Sequence, residues 1–306
     1  MRGGENMSRL KSFAAILLIL VLMMPVNVIA EAKKSDIQFA SKAYATWLWD
    51  TSQIIEKGDQ IITFLLANNV KCLYLQIDYS LEFDVYKKFI EQASKRGIDI
   101  QALEGSPQWV SDDGINMEKL FFEWLTDYNN EASINQKFKG VHLDVEPYLN
   151  EQYSTNKKGI VETYQKLLLS ARSKSKGLGL PLAVDIPFWF DDIRYDNQYG
   201  SGRLAEWVIS HINNVAIMAY RDEAAGNNGI IKLVLNEMKW ANKYGCAIII
   251  GVETQPLAKE DEVTFYEEGQ HYMNNELSKV YDRYKTSSSF KGFAMHHVTS
   301  WSTLKK

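Results

Sequence analysis

The chain contains 306 residues, of which 46% are hydrophobic, with 34 Lys and Arg, 38 Asp and Glu, and two Cys. This apolar fraction, with only 18 Gly and 6 Pro, excludes a disordered or collagen-like chain, and two Cys are too few for a disulfide scaffold. The length fits two ordinary domains or one large α/β barrel, which takes about 250 residues.

The first thirty residues have the pattern of a secretory signal peptide. Three basic residues precede an unbroken apolar stretch over residues 13–24, and Val28 and Ala30 occupy the two positions read by signal peptidase. An uncleaved membrane anchor is the alternative, but it needs about 20 apolar residues. We therefore predict export, to the medium or the cell wall, with a mature chain that starts near Glu31.

The mature chain is predicted to be acidic. Removal of residues 1–30 takes away three basic residues and one Glu, which leaves 31 basic and 37 acidic residues and a net charge of −6. No basic patch extends beyond short pairs such as Lys157 and Lys158, which disfavours nucleic acid as a partner. No later segment is apolar enough to span a membrane, and we expect a monomer. Cys72 and Cys246 lie in predicted strands that are not neighbours, so we expect buried thiols rather than a disulfide.

Eight apolar runs of strand length alternate with helical patterns, as in βαβ units around a parallel sheet. The predicted strands cover residues 45–49, 72–77, 98–103, 140–145, 182–186, 215–219, 246–252 and 293–298. The predicted helices cover residues 53–69, 83–96, 117–128, 158–175, 203–212, 230–244 and 264–284. A doubly wound nucleotide-binding sheet would need a Gly-rich turn after the first strand, and none is present. The sequence therefore predicts an α/β fold, a single-domain (β/α)₈ TIM barrel over residues 31–306, with its final helix reduced or missing.

The fourth predicted strand carries three ionisable residues at alternate positions. His142, Asp144 and Glu146 share one face, and the apolar residues between them suit packing against helices. Three such groups inside a barrel are costly to bury unless they pair or carry a function. The alternatives are a structural ion pair near the barrel mouth and an active site.

Acidic residues also end several other predicted strands, where a barrel enzyme holds its catalytic groups. These residues are Asp78, Glu104, Asp185 and Glu253, and Tyr220 and His297 accompany them. Any one of them could be a solvated loop residue, but their repetition at the same strand end predicts a ring of carboxylates around one rim.

Aromatic residues concentrate near the same rim. The set consists of Trp47, Trp49, Tyr79, Trp109, Tyr148, Phe188, Trp189, Phe190, Tyr220 and Trp301. Their flat apolar faces suit sugar rings, although we expect about half of them to be core residues. We predict substrate binding by Trp49, Asp78, Glu104, Trp109, Tyr148, Asp185, Trp189 and His297. No His-x-His or His-Glu-x-x-His motif indicates a metal, and we expect no cofactor.

These motifs resemble TIM-barrel glycoside hydrolases, in particular glycoside hydrolase family 18. That family ends its fourth strand with alternating acids and a catalytic Glu, matched here by Asp144 and Glu146, and it carries Met-x-Tyr-Asp on the sixth strand, matched in part by Met218-Ala219-Tyr220. The resemblance implies Glu146 as general acid, Asp144 and Tyr220 as groups that hold an N-acetyl group of the substrate, and the acetamido oxygen as nucleophile.

The chain departs from the family at four positions. His142 and Lys139 occupy positions where the family has Asp, Arg221 follows Tyr220 in place of Asp, and His297 replaces a Trp on the last strand.

A second resemblance is to the large clan of retaining glycosidases. Glu146-Pro147 and Glu253 are similar to its acid and nucleophile, although Val145 precedes the acid where the clan has Asn. This resemblance implies direct attack by Glu253, with the carboxyl groups of Glu146 and Glu253 about 5 Å apart; inversion through water requires about 6.5–9.5 Å.

Three functions follow from these patterns. The first is an exported glycosidase that acts on a cell-wall, exopolysaccharide or amino-sugar polymer, with Glu146, Asp144, Tyr220 and Glu253 as catalytic candidates. The second is a carbohydrate-binding barrel without catalysis. The third is a metal-dependent hydrolase that modifies a polysaccharide, with His142 and Asp144 as ligands.

Overall fold

The computed structural model describes residues 44–258 and 261–306, and these residues form a closed barrel of eight parallel strands in a single domain. We number them β1 to β8: Tyr44–Leu48, Val70–Gln76, Asp99–Glu104, Gly140–Leu143, Leu182–Pro187, Asn214–Met218, Ala247–Glu253 and Phe290–His296. Each strand pairs with its neighbours in the sequence, and β8 closes the barrel against β1. The predicted (β/α)₈ fold is confirmed, whereas the predicted signal peptide lies outside the described residues.

Helices follow the strands and cover the outside of the barrel. They span Gln53–Glu56, Gly58–Ala67, Phe83–Ser94, Gly114–Glu131, Lys157–Gly177, Leu204–His211, Ile230–Leu233, Leu235–Tyr244, Gln270–Tyr284 and Val298–Ser302. The last of them has five residues, in agreement with the predicted reduction of the final helix. None of the described helices has both the length and the hydropathy needed to cross a membrane.

Three predicted helices differ from the observed ones. The helix predicted over residues 53–69 is interrupted at Lys57, and the one over residues 230–244 is interrupted at Val234. The helix predicted from residue 264 begins at Gln270, because Thr264 forms a bridge with Glu253 and the Phe265 amide donates to the Glu253 carbonyl. These contacts extend the segment along β7 and keep it out of the helix.

The barrel interior is filled by side chains from alternate strand positions. Its apolar members are Ala45, Trp47, Cys72, Tyr74, Leu103, Ala216, Ile249 and Ala294. Small residues make room for large ones in this interior. Gly251 lies against the large Trp47 ring, since a Cβ atom on Gly251 would be 3.4 Å from it. Both cysteines are buried, as expected, Cys72 in the interior and Cys246 just before β7.

Short elements lie at the carboxyl ends of several strands. The 3₁₀ helices Pro107–Val110, Pro147–Leu149 and Phe188–Asp192 follow β3, β4 and β5, and a fourth, Asp261–Val263, follows β7. An antiparallel hairpin of Arg194–Asn197 and Gly200–Arg203 follows the third of these helices. The strand β4 ends at Leu143, earlier than predicted, so Asp144 and Glu146 lie just beyond it, on the rim.

Candidate active site

Asp185 lies at the centre of the polar residues inside the barrel mouth. Its Oδ2 accepts hydrogen bonds from Trp47 Nε1 at 3.0 Å and from His142 Nε2 at 2.8 Å, and only 2% of the residue is exposed. His142 is itself fully buried and stacks on Tyr74, with ring centroids 3.7 Å apart. The sequence predicted the inward direction of His142 and placed Asp185 at a strand end on the rim, but it did not predict their pairing.

Two carboxylate oxygens near this pair have no hydrogen-bond partner among the described residues. They are Oδ1 of Asp144 and Oδ1 of Asp185, and both are buried. Burial raises the pKa of Asp144 well above its usual range, and the negative charges of Asp185 and Glu146 raise it further. A neutral Asp144 can offer a proton where an ionised one cannot.

Glu146 is half-buried beside them. Burial raises its pKa, the charge of Asp185 adds to this effect, and His296 opposes it. The hydroxyl of Tyr148 donates a hydrogen bond to Glu146 Oε1. A carboxyl group with a raised pKa at a barrel rim can stay protonated near neutral pH, which is the state that a general acid requires.

Tyr220 follows β6 on the same rim. Burial raises the pKa of its hydroxyl well above the usual value, and the nearby charges of Glu253, Asp185, Asp144 and Glu146 act in the same direction. The ring fits above Gly251, where a Cβ atom would lie 3.7 Å from it. Tyr220 is therefore a neutral hydroxyl donor beside the acids.

Glu253, at the end of β7, is bound on both of its oxygens. Its Oε1 accepts from the backbone N–H groups of Thr254 and Gln255, each at 2.8 Å, and its Oε2 lies 2.8 Å from His296 Nδ1. Trp49 Nε1 donates to the other ring nitrogen of His296 at 2.9 Å. Glu253, His296 and Trp49 thus form a continuous hydrogen-bonded chain from β7 across β8 to the end of β1.

His296 is the site residue that the sequence analysis missed, because the prediction chose its neighbour His297. Alternation along β8 could have identified it: Ala294 faces the barrel interior, so His296 two positions later faces the same way. His297 instead precedes the final helix and is half-buried, and burial lowers its pKa.

Two predicted rim acids bind groups in their own loops. Asp78 Oδ1 accepts from the backbone N–H and the hydroxyl of Ser80, and these bonds lower its pKa. Glu104 accepts from the hydroxyl of Tyr79 at 3.1 Å and from the N–H of Gly105. Only the backbone links Glu104 to the central acids in the contacts described, through the Asp144 N–H and the Glu104 carbonyl.

The predicted aromatic residues separate into two groups. Tyr148 and Trp189 lie edge to face with ring centroids 4.7 Å apart, both are partly exposed, and Tyr148 bonds to Glu146. Trp109 is 4% exposed and packs near Phe121 in the core, so the structure does not bring it to the acids. Its burial leaves no face for a sugar.

Nothing in residues 44–258 and 261–306 gathers three or more His, Cys, Asp or Glu side chains in an arrangement that could hold a metal ion. His142, a ligand in the metal-dependent hypothesis, uses Nε2 for Asp185.

The chain matches no known family model and no curated protein. It is similar in structure to a family 18 chitinase from Pseudoalteromonas aurantia, with 13% identity over 83% of this chain and 93% of that one and a TM-score of 0.53. A class V chitinase mutant from the plant Cycas revoluta, in complex with (GlcNAc)₃, is 11% identical over 84% of this chain and 95% of that one, with a TM-score of 0.50.

The chain shares its barrel fold with these two chitinases. A Group II chitinase domain from Ostrinia furnacalis is matched at 12% identity over 70% of this chain, with a TM-score of 0.46, and the chain spans 64% of that domain's length. Identities this low show the fold alone, so the activity has to be argued from the residues of this chain.

Proposed function

We propose that the protein is an exported glycoside hydrolase that cleaves an amino-sugar polymer, with Glu146 as its general acid. The observation that carries the proposal is the half-buried Glu146, with a raised pKa, just after β4 and two positions from Asp144, whose Oδ1 is buried and whose pKa is also raised. The chitinase fold supports the choice of an amino-sugar substrate. Export follows from the pattern of residues 1–30, and mass spectrometry of the exported protein should find a start near Glu31.

In the proposed reaction, Glu146 gives its proton to the glycosidic oxygen as the bond to the leaving sugar breaks. The acetamido oxygen of the substrate attacks the anomeric carbon, and Asp144 and Tyr220 hold the acetamido group. The raised pKa of both groups suits this role, because each keeps a proton to donate. Tyr148 and Trp189 offer aromatic surface to the neighbouring sugar.

The proposal is tested with the variant Glu146→Gln of the mature chain, which keeps the shape of the side chain but has no proton to give. We expect kcat on chitin oligosaccharides or peptidoglycan to fall by at least about a hundredfold, while binding persists. The release of reducing ends is the measurement. Glu123→Gln, which removes an exposed acid on an outer helix, is the matched control and should cleave at the parent rate. Equal rates for Glu146→Gln and the parent would contradict the assignment.

A carbohydrate-binding barrel without catalysis is the second candidate. It is favoured by the substitution of His142 into a motif position where family 18 has Asp. The same assay separates the two functions, because this candidate requires saturable glycan binding by the parent protein and no reducing ends at any pH.

A further inference from the structure

The hydrogen-bonded chain of Glu253, His296 and Trp49 has a defined direction from donor to acceptor. An indole N–H can only donate, so His296 Nε2 must accept from Trp49. The proton of a neutral imidazole then lies on Nδ1 and is donated to Glu253 Oε2. The carboxylate therefore selects the tautomer of His296, and that tautomer accepts the indole of Trp49.

Both carboxylate oxygens of Glu253 are already engaged in hydrogen bonds. Its Oε1 already receives two backbone N–H groups, its Oε2 receives His296, and 5% of the residue is exposed. Direct attack on a sugar would require it to leave these donors. These contacts oppose the role of nucleophile that the retaining-clan resemblance implied.

Rings surround His296 and fix its plane. Trp47, Trp49 and Tyr220 have their centroids 5.6, 6.0 and 5.8 Å from the imidazole, and the two Trp rings meet it edge to face. Trp49 itself is partly exposed where β1 ends, with its N–H edge attached to His296. Trp49 packs against the interior apolar cluster with part of its surface, and the part that is exposed at the barrel mouth can meet a flat apolar surface.

We propose that Glu253 and His296 are positioning residues that hold Trp49 as a stacking platform for a sugar ring in the barrel mouth. This inference rests on the proposed function and makes it more specific, because it assigns Glu253 to the positioning of Trp49 rather than to attack on the sugar and leaves Glu146 as the general acid. The ligand is a saccharide whose C–H face packs on the indole.

The variant Glu253→Gln tests the direction of the chain. Its amide can still accept the backbone N–H groups, but it presents N–H hydrogens to His296 Nδ1. The imidazole then accepts at Nδ1 and carries its proton on Nε2. Its Nε2–H faces the indole N–H of Trp49, so two donors oppose each other and the bond between them is lost. We expect the indole proton resonance of Trp49, assigned by its loss in Trp49→Phe, to move in Glu253→Gln. An unchanged resonance would show that Glu253 does not act on Trp49 through His296, whether or not any glycan binds. We call this Glu253–His296–Trp49 connection the relay.

Kinetics on (GlcNAc)₄ test the platform. We expect Trp49→Phe and Glu253→Gln each to raise KM about tenfold with kcat within about threefold of the parent, and the double variant to be no worse than either single one. His296→Gln, which can accept from Trp49 and donate to Glu253 with one side chain, should restore most of the binding lost in His296→Ala. Trp240→Phe, on an outer helix, is the control and should match the parent.

Three results would contradict the proposal. A loss of kcat above about a thousandfold in Glu253→Ala that azide restores would identify Glu253 as a nucleophile. Additive effects of Trp49→Phe and Glu253→Gln would show that the two residues act independently. Failure of the parent protein to bind any glycan would reject the proposed function and the platform together, while the indole resonance would still decide whether the relay exists. Thermal unfolding of each variant verifies that it is folded.

Discussion

Asp185 places a carboxylate inside the barrel, where, among the described residues, it accepts hydrogen bonds from the N–H groups of Trp47 and His142. Its neighbours with ionisable or polar groups come from four other barrel strands or their ends and one helix: Trp47, Tyr74, His142, Asp144, Glu146, Tyr164 and Tyr220. Burial is the main cause of the raised pKa of Asp144 and Glu146, and the charge of Asp185 adds to it. Asp185 therefore helps both acids to keep their protons.

The variant Asp185→Asn should lower the pKa of both acids, because it removes the negative charge and leaves the burial unchanged. In the proposed reaction Glu146 can act as an acid only while it is protonated, so we expect activity to fall as pH rises through its pKa. We expect the alkaline limb of the kcat/KM profile to move to lower pH, with the acidic side less affected. Asp112→Asn removes an equal charge from an exposed loop and should leave the limb in place. If the alkaline limb of Asp185→Asn stays in place or moves to higher pH, Asp185 does not raise the pKa of Glu146.

The sequence predicted where these residues lie better than it predicted which groups they contact. Asp144, Glu146, Asp185 and Tyr220 follow from strand alternation and from the position of strand ends, which are local properties. The bonds of Asp185 to His142 and Trp47 join residues 43 and 138 positions apart, and only the closed barrel brings them together. The choice of His297 over His296 came from a difference of one residue in the inferred face of β8.

Helix Leu235–Tyr244 contains an acid whose environment suits a neutral group. Glu237 is fully buried, and neither of its carboxylate oxygens has a hydrogen-bond partner among the described residues. Burial raises its pKa to about 8, and the charges of Asp191 and Asp192 contribute. Because the pKa is higher in the folded state than in the unfolded state, the neutral form stabilises the fold below the unfolded pKa, and this stabilisation is lost as pH rises toward 8.

The variant Glu237→Gln should be about as stable as the parent at pH 5 and more stable by a few kcal/mol at pH 8.5, since the amide has no charge to bury. Urea unfolding at the two pH values measures the difference. Glu123→Gln, an exposed acid on another helix, should show no such dependence on pH. Equal stability of Glu237→Gln and the parent at pH 8.5 would show that Glu237 is not a buried titrating group.

The bounds of the strands were predictable because apolar runs define them. The ends of the helices were less predictable because backbone geometry and distant contacts define them. All eight barrel strands lie within three residues of the predicted bounds because each is a short apolar run. The helix break at Val234 has no Gly or Pro beside it, so no local signal marked it, whereas Gly58 directly follows the break at Lys57 and is a signal that the prediction did not use. The late start of helix Gln270–Tyr284 depends on a bridge to Glu253 eleven positions earlier than Thr264.

The whole molecule is closed by a seam between its first and last strands. Tyr44, Ala45 and Thr46 of β1 pair with Phe293, Ala294 and Met295 of β8. The buried hydroxyl of Thr46 adds a side-chain bond across the seam, to the Met295 carbonyl at 2.7 Å. The alternation of strands and helices predicted this closure, because eight such units form a barrel, but it could not predict which side chains cross the seam.

The variant Thr46→Val should lower the free energy of unfolding by about 1 kcal/mol, because it keeps the shape of the side chain and removes a buried hydrogen bond. Thr63→Val is the matched control: its hydroxyl also donates to a backbone carbonyl at 2.7 Å, but on an exposed helix surface. Chemical denaturation of both variants measures the difference. A loss as small as that of the control would show that the bond adds nothing to closure.

The seam also determines when the barrel mouth can be completed during folding. Trp49 and His296 are bonded across 247 positions of sequence, so the ring that we propose as a platform is anchored only after β8 has paired with β1. Contacts between such distant positions form late and slowly, because the loop between them must be closed first. A folding intermediate with seven strands in place would contain Asp144, Glu146 and Asp185 in their own strands and loops but would lack a fixed Trp49. Recovery of glycan affinity during refolding should therefore be the last event, after the recovery of secondary structure.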